Sequence, residues 1–318
     1  MQGGYPIVGV WLLCAVAGGA LAGCAPGVGR EEARDVGVVT PVQAPDLMTW
    51  AEFEGRSSPS PTTSVVFGTG ATDIADLWLP EGPGPHKVVL MVHGGCWQKS
   101  VADRTLMNHA AEDLRKRGLA VWNIEYRGVD EAGGGYPGTF LDVARAADAL
   151  RSAAAEHNLK IDRVAAFGHS AGGHLALWLA ARPNLPVSSP LRSADPLPIA
   201  GVVNAGGLAD LEASTMQADC LLAVMDRLTG APDARRADVM SDTSPARLLP
   251  TGVRLVNLSG EQDHVSPPAL ARGLARKAAE RGDEAEAVIV PATGHVELIS
   301  PGTAAFEQAA VLLLEMLR

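Results

Sequence analysis

The chain has 318 residues, of which 47% are hydrophobic and 19% are charged, and this composition fits one large α/β domain, alone or with an appendage. Its formal net charge of -10 and its pI of about 5.3 exclude a nucleic-acid backbone as a natural partner, because an acidic surface repels phosphates.

The first 24 residues have the pattern of an export signal. Residues 7–22 are almost wholly apolar, and no charged residue precedes Arg30. The run ends in Leu21-Ala22-Gly23-Cys24, which resembles the lipobox of bacterial lipoproteins, where the cysteine is lipidated and becomes the mature N-terminus. We therefore predict a signal peptide over residues 1–23, lipidation of Cys24, and a lipoprotein anchored to a membrane of the bacterial cell envelope. An uncleaved anchor, or a secreted or periplasmic protein, is the alternative, since residues 1–10 lack Lys and Arg.

A tether is predicted to follow the signal. Residues 24–62 are rich in Pro, Ser, Gly and charge, with one short possible helix at residues 46–53. We assign no chemistry to this segment and expect the folded domain over residues 63–318.

Strands and helices alternate along that domain. The predicted strands are residues 64–67, 74–79, 87–92, 119–124, 164–167, 199–204, 253–258 and 286–290. The predicted helices are residues 102–116, 139–157, 173–181 and 268–281. This alternation predicts a mostly parallel sheet wound on both sides by helices, and residues 213–249 interrupt it as a small cap over the cleft.

The central chemical motif is Gly168-His169-Ser170-Ala171-Gly172, between a predicted strand and a predicted helix. A strand that turns into a helix through G-x-S-x-G is the nucleophile elbow of serine hydrolases, with the serine held in a strained conformation. Ser170 would lie at a helix N-terminus, where N–H groups and the helix dipole favour developing negative charge. Alone the motif is weak, because a plain strand-to-helix turn in a chain with 35 glycines gives the same pattern.

A second motif, His93-Gly94-Gly95-Cys96-Trp97, follows the predicted strand 87–92. Ester or amide hydrolysis needs at least two N–H donors aimed at the oxyanion of the transition state. Ala171 would supply one donor, and Gly95 and Cys96 are placed to supply another. His93 is expected to pack beneath the loop and orient it, without taking part in proton transfer.

An acid and a base complete the pattern in later loops. Asp263 follows the predicted strand 253–258, where the orienting carboxylate of a triad belongs, and His295 follows the last predicted strand. The order Ser170, Asp263, His295 is the order of a serine hydrolase whose nucleophile stands on a strand-to-helix elbow. Asp210 is an alternative acid, for which a turn or helix-capping role is preferred.

Two cysteines remain once Cys14, inside the signal, and Cys24 are set aside. These two, Cys96 and Cys220, are a candidate disulfide in an oxidising compartment. Two separate buried thiols are the alternative.

The motifs around Gly95 and Ser170, with Gly168 to Ala176 quoted in full as GHSAGGHLA, resemble one branch of the α/β-hydrolases. That branch contains kynurenine formamidases and BD-FAE-type esterases and neighbours the hormone-sensitive-lipase group. The resemblance covers residues 63–317. It implies an α/β-hydrolase fold, the triad Ser170, Asp263 and His295, and an oxyanion hole at Gly95, Cys96 and Ala171. Cys96 stands where hormone-sensitive-lipase relatives have a third glycine, which points toward the formamidase-like branch.

Together these features predict a serine hydrolase that cleaves short-chain carboxylic esters through an acyl-enzyme, with a small-molecule ester as its partner. The export signal favours an ester over the formamide, because tryptophan catabolism is intracellular. An arylformamidase or amidase acting on a substrate like N-formylkynurenine, or a peptidase, is the alternative on the same triad. A surface lipoprotein that only binds is the non-enzyme alternative. No organic cofactor and no metal is implied.

Overall fold

The computed structural model of the protein describes residues 46–318. The predicted signal peptide at residues 1–23, lipidation at Cys24 and the first part of the predicted tether lie outside the described residues. Within the described part, none of the helices has the length and apolar character needed to span a membrane.

Within residues 46–318, eight strands form one sheet in the order β1-β2-β4-β3-β5-β6-β7-β8. The strands are β1 (Thr63–Val66), β2 (Ile74–Trp78), β3 (His86–Val92), β4 (Ala120–Ile124), β5 (Leu159–His169), β6 (Gly201–Ala205), β7 (Arg254–Gly260) and β8 (Ala285–Val290). Strand β2 pairs antiparallel with β1 and with β4, and every other pairing is parallel. The predicted α/β-hydrolase fold with a mostly parallel sheet is confirmed.

Helices cover both faces of the sheet. The longer ones are α2 (Asn108–Lys116), α3 (Gly138–Glu156), α4 (Ala171–Ala181), α8 (Pro268–Glu280) and α9 (Ala304–Met316), and the short ones are α1 (Trp50–Glu54), α5 (Leu211–Thr215), α6 (Asp219–Leu222) and α7 (Met225–Thr229). Along β3, Leu90 belongs to the buried cluster that contains residues of α3, α4 and α8, whereas its neighbours Val89 and Met91 belong to the cluster that contains residues of α2 and α9. Because successive strand residues point to opposite faces, a strand covered on both sides must be apolar throughout.

The segment predicted as a cap contains α6 and α7 and lies against α4. The indole N–H of Trp178 donates to the carbonyl oxygen of Asp242 at 2.8 Å, and Asp242 is paired with the buried Arg236. Asp210 caps α5 by accepting the N–H of Ala213 at 3.3 Å, and it pairs with Lys277. The preferred capping role of Asp210 is therefore what its contacts show.

Residues 46–62 correct the predicted tether boundary, because they pack on the domain. Phe53 of α1 is buried in the same core as α2 and α9. The N–H of Met48 donates to Glu297 Oε1 at 2.6 Å, and Asn108 Nδ2 donates to the carbonyl oxygen of Pro59 at 3.1 Å. The short predicted helix is present as α1, but its surroundings belong to the folded domain, which begins before residue 63.

Candidate active site

The loops that carry the predicted site residues follow four parallel strands and meet at one edge of the sheet. Gly95 follows β3, Ser170 follows β5, Asp263 follows β7 and His295 follows β8. Since parallel strands place all their carboxyl ends on the same side, residues far apart in the chain meet there.

Ser170 sits between β5 and α4 with φ 53° and ψ -122°, a conformation that few non-glycine residues adopt. Its N–H donates to the carbonyl oxygen of Ala205 at 2.9 Å, and its own carbonyl oxygen accepts the N–H of Gly173 at 2.8 Å. A Cβ on Gly172 would overlap the main chain at Val92, so the turn requires glycine there. These contacts fix the serine at the start of α4.

Asp263 and His295 are in contact, 32 residues apart in the chain. His295 Nδ1 lies 2.7 Å from Asp263 Oδ2, and both side chains are buried. The other carboxylate oxygen, Oδ1, accepts the N–H groups of Val265 at 2.9 Å and Ser266 at 2.8 Å. The carboxylate is therefore oriented by two main-chain donors while it faces the imidazole, which is the arrangement that orients a general base.

The loop after β3 approaches Ser170 closely. A Cβ on Gly94 would lie 2.9 Å from His169 Nδ1 and 3.2 Å from the Cβ of Ser170, so only glycine leaves this space free. Gly95 and Cys96 both have positive φ, at 106° and 53°. They line the same cavity as Ser170.

Ala171 is the first residue of α4, and an N–H at that position has no acceptor within its own helix. Of the three residues predicted to form an oxyanion hole, Gly95 and Cys96 thus line the cavity at Ser170, and Ala171 begins the adjoining helix α4.

Cys96 Sγ is bonded to Cys220 Sγ, with the Cα atoms 5.8 Å apart. The two residues are 124 positions apart in the chain. The disulfide joins the loop after β3 to α6, so the structure brings together the two cysteines that the sequence left as a candidate pair.

Contacts between His93 and its neighbours support the loop after β3. Tyr126 stacks on the His93 ring at 4.2 Å, and its hydroxyl donates to the His93 carbonyl oxygen at 3.0 Å. His93 Nε2 lies 2.9 Å from Glu125 Oε1. Burial alone would raise the pKa of the Glu125 carboxyl, but its contacts with His93 and Lys99 bring it well below the usual range. The expected role of His93, orienting the loop, agrees with these contacts.

His174 is buried behind the elbow, with both ring nitrogens paired. Trp97 Nε1 donates to His174 Nδ1 at 3.1 Å, so this nitrogen is unprotonated and Nε2 donates to the carbonyl oxygen of Thr243 at 2.8 Å. Burial disfavours the cation and lowers the pKa of His174 to about 4, although the Thr243 carbonyl opposes the shift.

Acid should destabilise the protein through His174. In the unfolded chain the His174 imidazole has its ordinary pKa of 6.5, whereas in the folded protein its pKa is about 4. Between pH 6.5 and pH 4 the unfolded state therefore binds a proton at this residue and the folded state does not. The free energy of unfolding should therefore fall by about 3 kcal/mol from this residue between pH 7 and pH 4. Urea unfolding of the wild type and His174→Asn across that range measures the difference. An equal pH dependence in both proteins would contradict the assignment.

His169 lies beside the candidate base. Its Nε2 donates to the main-chain carbonyl oxygen of His295 at 3.1 Å, and the two rings are 4.5 Å apart. Burial, and then the nearby charge of His295, place the pKa of His169 well below its ordinary value. A neutral His169 therefore braces the loop that carries His295.

A cavity of about 380 Å³ opens onto Ser170, His295, Gly95 and Cys96. Its remaining walls are mostly apolar and include Trp50, Val101, Ala102, Leu106 and Val265. Sequence reasoning missed Trp50 and Glu54 of α1, which also line it, because it placed them in a tether. Within residues 46–318, no group of three or more His, Cys, Asp or Glu side chains is arranged to hold a metal ion.

The BD-FAE family model matches residues 75–277, more than half of the chain. The match includes Ser170 and Asp263 and ends before His295. No curated protein matches the chain.

Several solved structures share the fold. A truncated carbohydrate esterase from gut microbiota is 21% identical, with 82% of this chain and 99% of that chain covered and a TM-score of 0.68. Esterase B from Lactobacillus rhamnosis is 18% identical, with 84% and 90% covered and a TM-score of 0.69. Thermogutta terrifontis esterase 2, phosphonylated by sarin, is 18% identical, with 83% and 96% covered and a TM-score of 0.67.

Proposed function

The chain belongs to the BD-FAE family, and from this and the geometry around Ser170 we propose that it is a serine hydrolase that cleaves short-chain carboxylic esters. The observation that carries the proposal is the buried contact between His295 Nδ1 and Asp263 Oδ2, beside a serine held at φ 53° in the same cavity. Similar folds in proteins described as esterases agree with this chemistry.

In the proposed reaction, His295 takes the proton of the Ser170 hydroxyl as the oxygen attacks the ester carbonyl. The amides of Gly95, Cys96 and Ala171 stabilise the oxyanion. His295 then gives the proton to the leaving alcohol, and a water molecule, activated by the same imidazole, hydrolyses the acyl-enzyme. A cavity of about 380 Å³ with apolar walls favours a small acyl ester.

The direct test compares short p-nitrophenyl esters with N-formylkynurenine, using the same enzyme after inactivation by a fluorophosphonate as the blank. We expect rapid turnover of acetate and butyrate esters, little deformylation, and one covalent label on Ser170. Preferential deformylation would replace the ester by the formamide as the substrate class. A protein that neither turns over a substrate nor takes the label would be a binding protein that retains the fold.

We also propose that the enzyme is an exported lipoprotein held to a membrane by lipid on Cys24. The apolar run at residues 7–22 and the lipobox-like end support this location. The bond between Cys96 and Cys220 agrees with it, because disulfides persist in oxidising compartments. Cys24→Ser should move the protein from the membrane fraction to the soluble fraction, and an unchanged distribution would refute lipid anchoring.

A further inference from the structure

One wall of the cavity at Ser170 comes from α1, which precedes the sheet. Trp50 and Glu54 lie one helical turn apart, and both line this cavity. The Trp50 ring lies edge-on to the His295 and His169 rings, with distances between ring centroids of 6.4 Å and 6.2 Å. Trp50 is 38% exposed, so a group that enters the cavity can bury it further. An exposed tryptophan above an apolar cavity is a ready contact surface for substrate.

Contacts with the rest of the domain hold this wall in place without substrate. Phe53 is 2% exposed and meets His109 of α2 edge-on at 5.4 Å. The Thr49 hydroxyl accepts the N–H of Glu52, and the Glu52 carboxylate in turn accepts the N–H of Thr49, so the start of α1 is capped.

The wall is also tied to the loop of the candidate base. Glu297 Oε1 accepts the N–H of Met48 at 2.6 Å, and Glu297 Oε2 accepts the N–H of Gly294 at 3.1 Å. Gly294 immediately precedes His295. One carboxylate therefore fixes both the start of the wall and the loop that carries the imidazole, so Trp50 is preorganised relative to His295.

The neighbourhood of His295 indicates which half of an ester Trp50 meets. In ester hydrolysis the general base returns its proton to the oxygen of the leaving alcohol, so the alcohol extends from that oxygen past the imidazole. The acyl chain is bonded to the carbonyl carbon at Ser170 and extends in another direction. We propose, on the basis of the ester hydrolysis proposed above, that Trp50 is a specificity-determining residue that binds the alcohol portion of the ester.

A second cavity of about 380 Å³ adjoins the first and gives a larger alcohol somewhere to extend. The two share Glu54, Val101, Ala102 and Leu106. The second one also carries the charged side chains of Arg56, Lys99 and Asp103. The alcohol side of the site is therefore apolar at Trp50 and polar beyond Glu54.

The test holds the acyl group constant and varies the alcohol. Methyl, phenyl and 2-naphthyl acetate all give the same acetyl-enzyme, so differences among them arise before or during acylation. In Trp50→Ala we expect kcat/KM for 2-naphthyl acetate to fall about tenfold more than for methyl acetate, since an aromatic contact is lost. Trp50→Phe should recover part of the loss. Val311→Ala, which shortens an apolar residue of α9 that is 46% exposed, is the matched control and should change neither value.

A second series fixes the alcohol and varies the acyl chain. For p-nitrophenyl acetate, butyrate and hexanoate, the ratios of kcat/KM should change less than twofold in Trp50→Ala. A shifted chain-length profile with an unchanged alcohol profile would place Trp50 on the acyl side. An equal loss for every ester would mean that the residue only supports the fold. Either result overturns the proposal.

Two phosphorylating agents separate this proposal from ester hydrolysis itself. Diethyl p-nitrophenyl phosphate and diethyl fluorophosphate both form a bond between Ser170 Oγ and phosphorus, with loss of p-nitrophenolate or fluoride and transfer of the serine proton to His295. Trp50→Ala should slow inactivation by diethyl p-nitrophenyl phosphate about tenfold more than inactivation by diethyl fluorophosphate. If that selectivity appears without any carboxylic ester turnover, the placement of Trp50 on the leaving-group side stands and ester hydrolysis fails. If the enzyme turns over esters but Trp50→Ala slows inactivation by both agents equally, ester hydrolysis stands and the proposal for Trp50 fails. A wild type inert to esters and agents alike overturns both.

Discussion

Ser170→Ala is expected to lower kcat for a short p-nitrophenyl ester by about six orders of magnitude, because removal of the nucleophile disables the whole catalytic unit. The fold should survive the substitution. The hydrogen bonds of Ser170 to Ala205 and Gly173 come from the main chain, and its side chain does not cap α4. The strained backbone at φ 53° is present with either residue. Kinetics with the purified variant and thermal unfolding, compared with wild type, give both halves of the result.

Ser152→Ala is the matched control for this substitution. Ser152 is an exposed serine in α3, and replacing it removes the same hydroxyl group from a helix surface. It should leave kcat within twofold of wild type and stability within about 0.5 kcal/mol. A Ser170→Ala protein that keeps more than a few per cent of wild-type activity would place the nucleophile at another residue.

The sequence was most informative where structure depends on near neighbours. The elbow at Ser170 could be predicted because a strand, a tight glycine turn and a helix follow one another within a few residues. The length of β5 could not be predicted as well: the apolar run 164–167 marks only its buried end, while the strand begins at Leu159. Lys160 and Asp162 interrupt the pattern at the exposed end, and pairing with β3 determines the full length.

A helix boundary shows the same limit. The predicted helix 102–116 is divided into a 3-10 turn at Arg104–Met107 and α2, which begins at Asn108. The Asp103 side chain accepts the N–H of Thr105 at 2.9 Å and caps the turn. This local hydrogen bond competes with a regular helix start and leaves little trace in apolar periodicity.

Asp263 and His295 could be placed by chain order because β7 and β8 are neighbours in the sheet. The position of Trp50 in the wall of the cavity could not be predicted. Its polar, proline-rich surroundings resemble a linker, and the hydrogen bond between Met48 and Glu297 spans 249 positions. One available signal was the pair Trp50 and Phe53, two large apolar side chains three residues apart in a possible helix. Such a spacing places both side chains on one helix face, which is typical of a helix packed on a domain and not of a tether.

Asp263→Asn is expected to lower kcat by about four orders of magnitude with little change in KM. The contacts of Asp263 explain why a nearly isosteric substitution should be so harmful. Val265 and Ser266 both donate N–H groups to Oδ1, so the amide oxygen of an asparagine would take that position. Its NH₂ group would then replace Oδ2 and face His295 Nδ1, 2.7 Å away.

An NH₂ group in that position makes His295 Nδ1 an acceptor, so the proton of the neutral ring moves to Nε2. A ring protonated at Nε2 cannot take the proton of Ser170, and the imidazolium also loses the carboxylate that stabilises it. Kinetics at neutral pH give kcat and KM, and the rate of labelling by a fluorophosphonate should fall in parallel with kcat. Because the two main-chain N–H donors to this side chain are kept, the midpoint temperature of thermal unfolding should change little. A fall of less than tenfold would show that Asp263 does not orient the base, and the orienting acid would then have to be a different carboxylate.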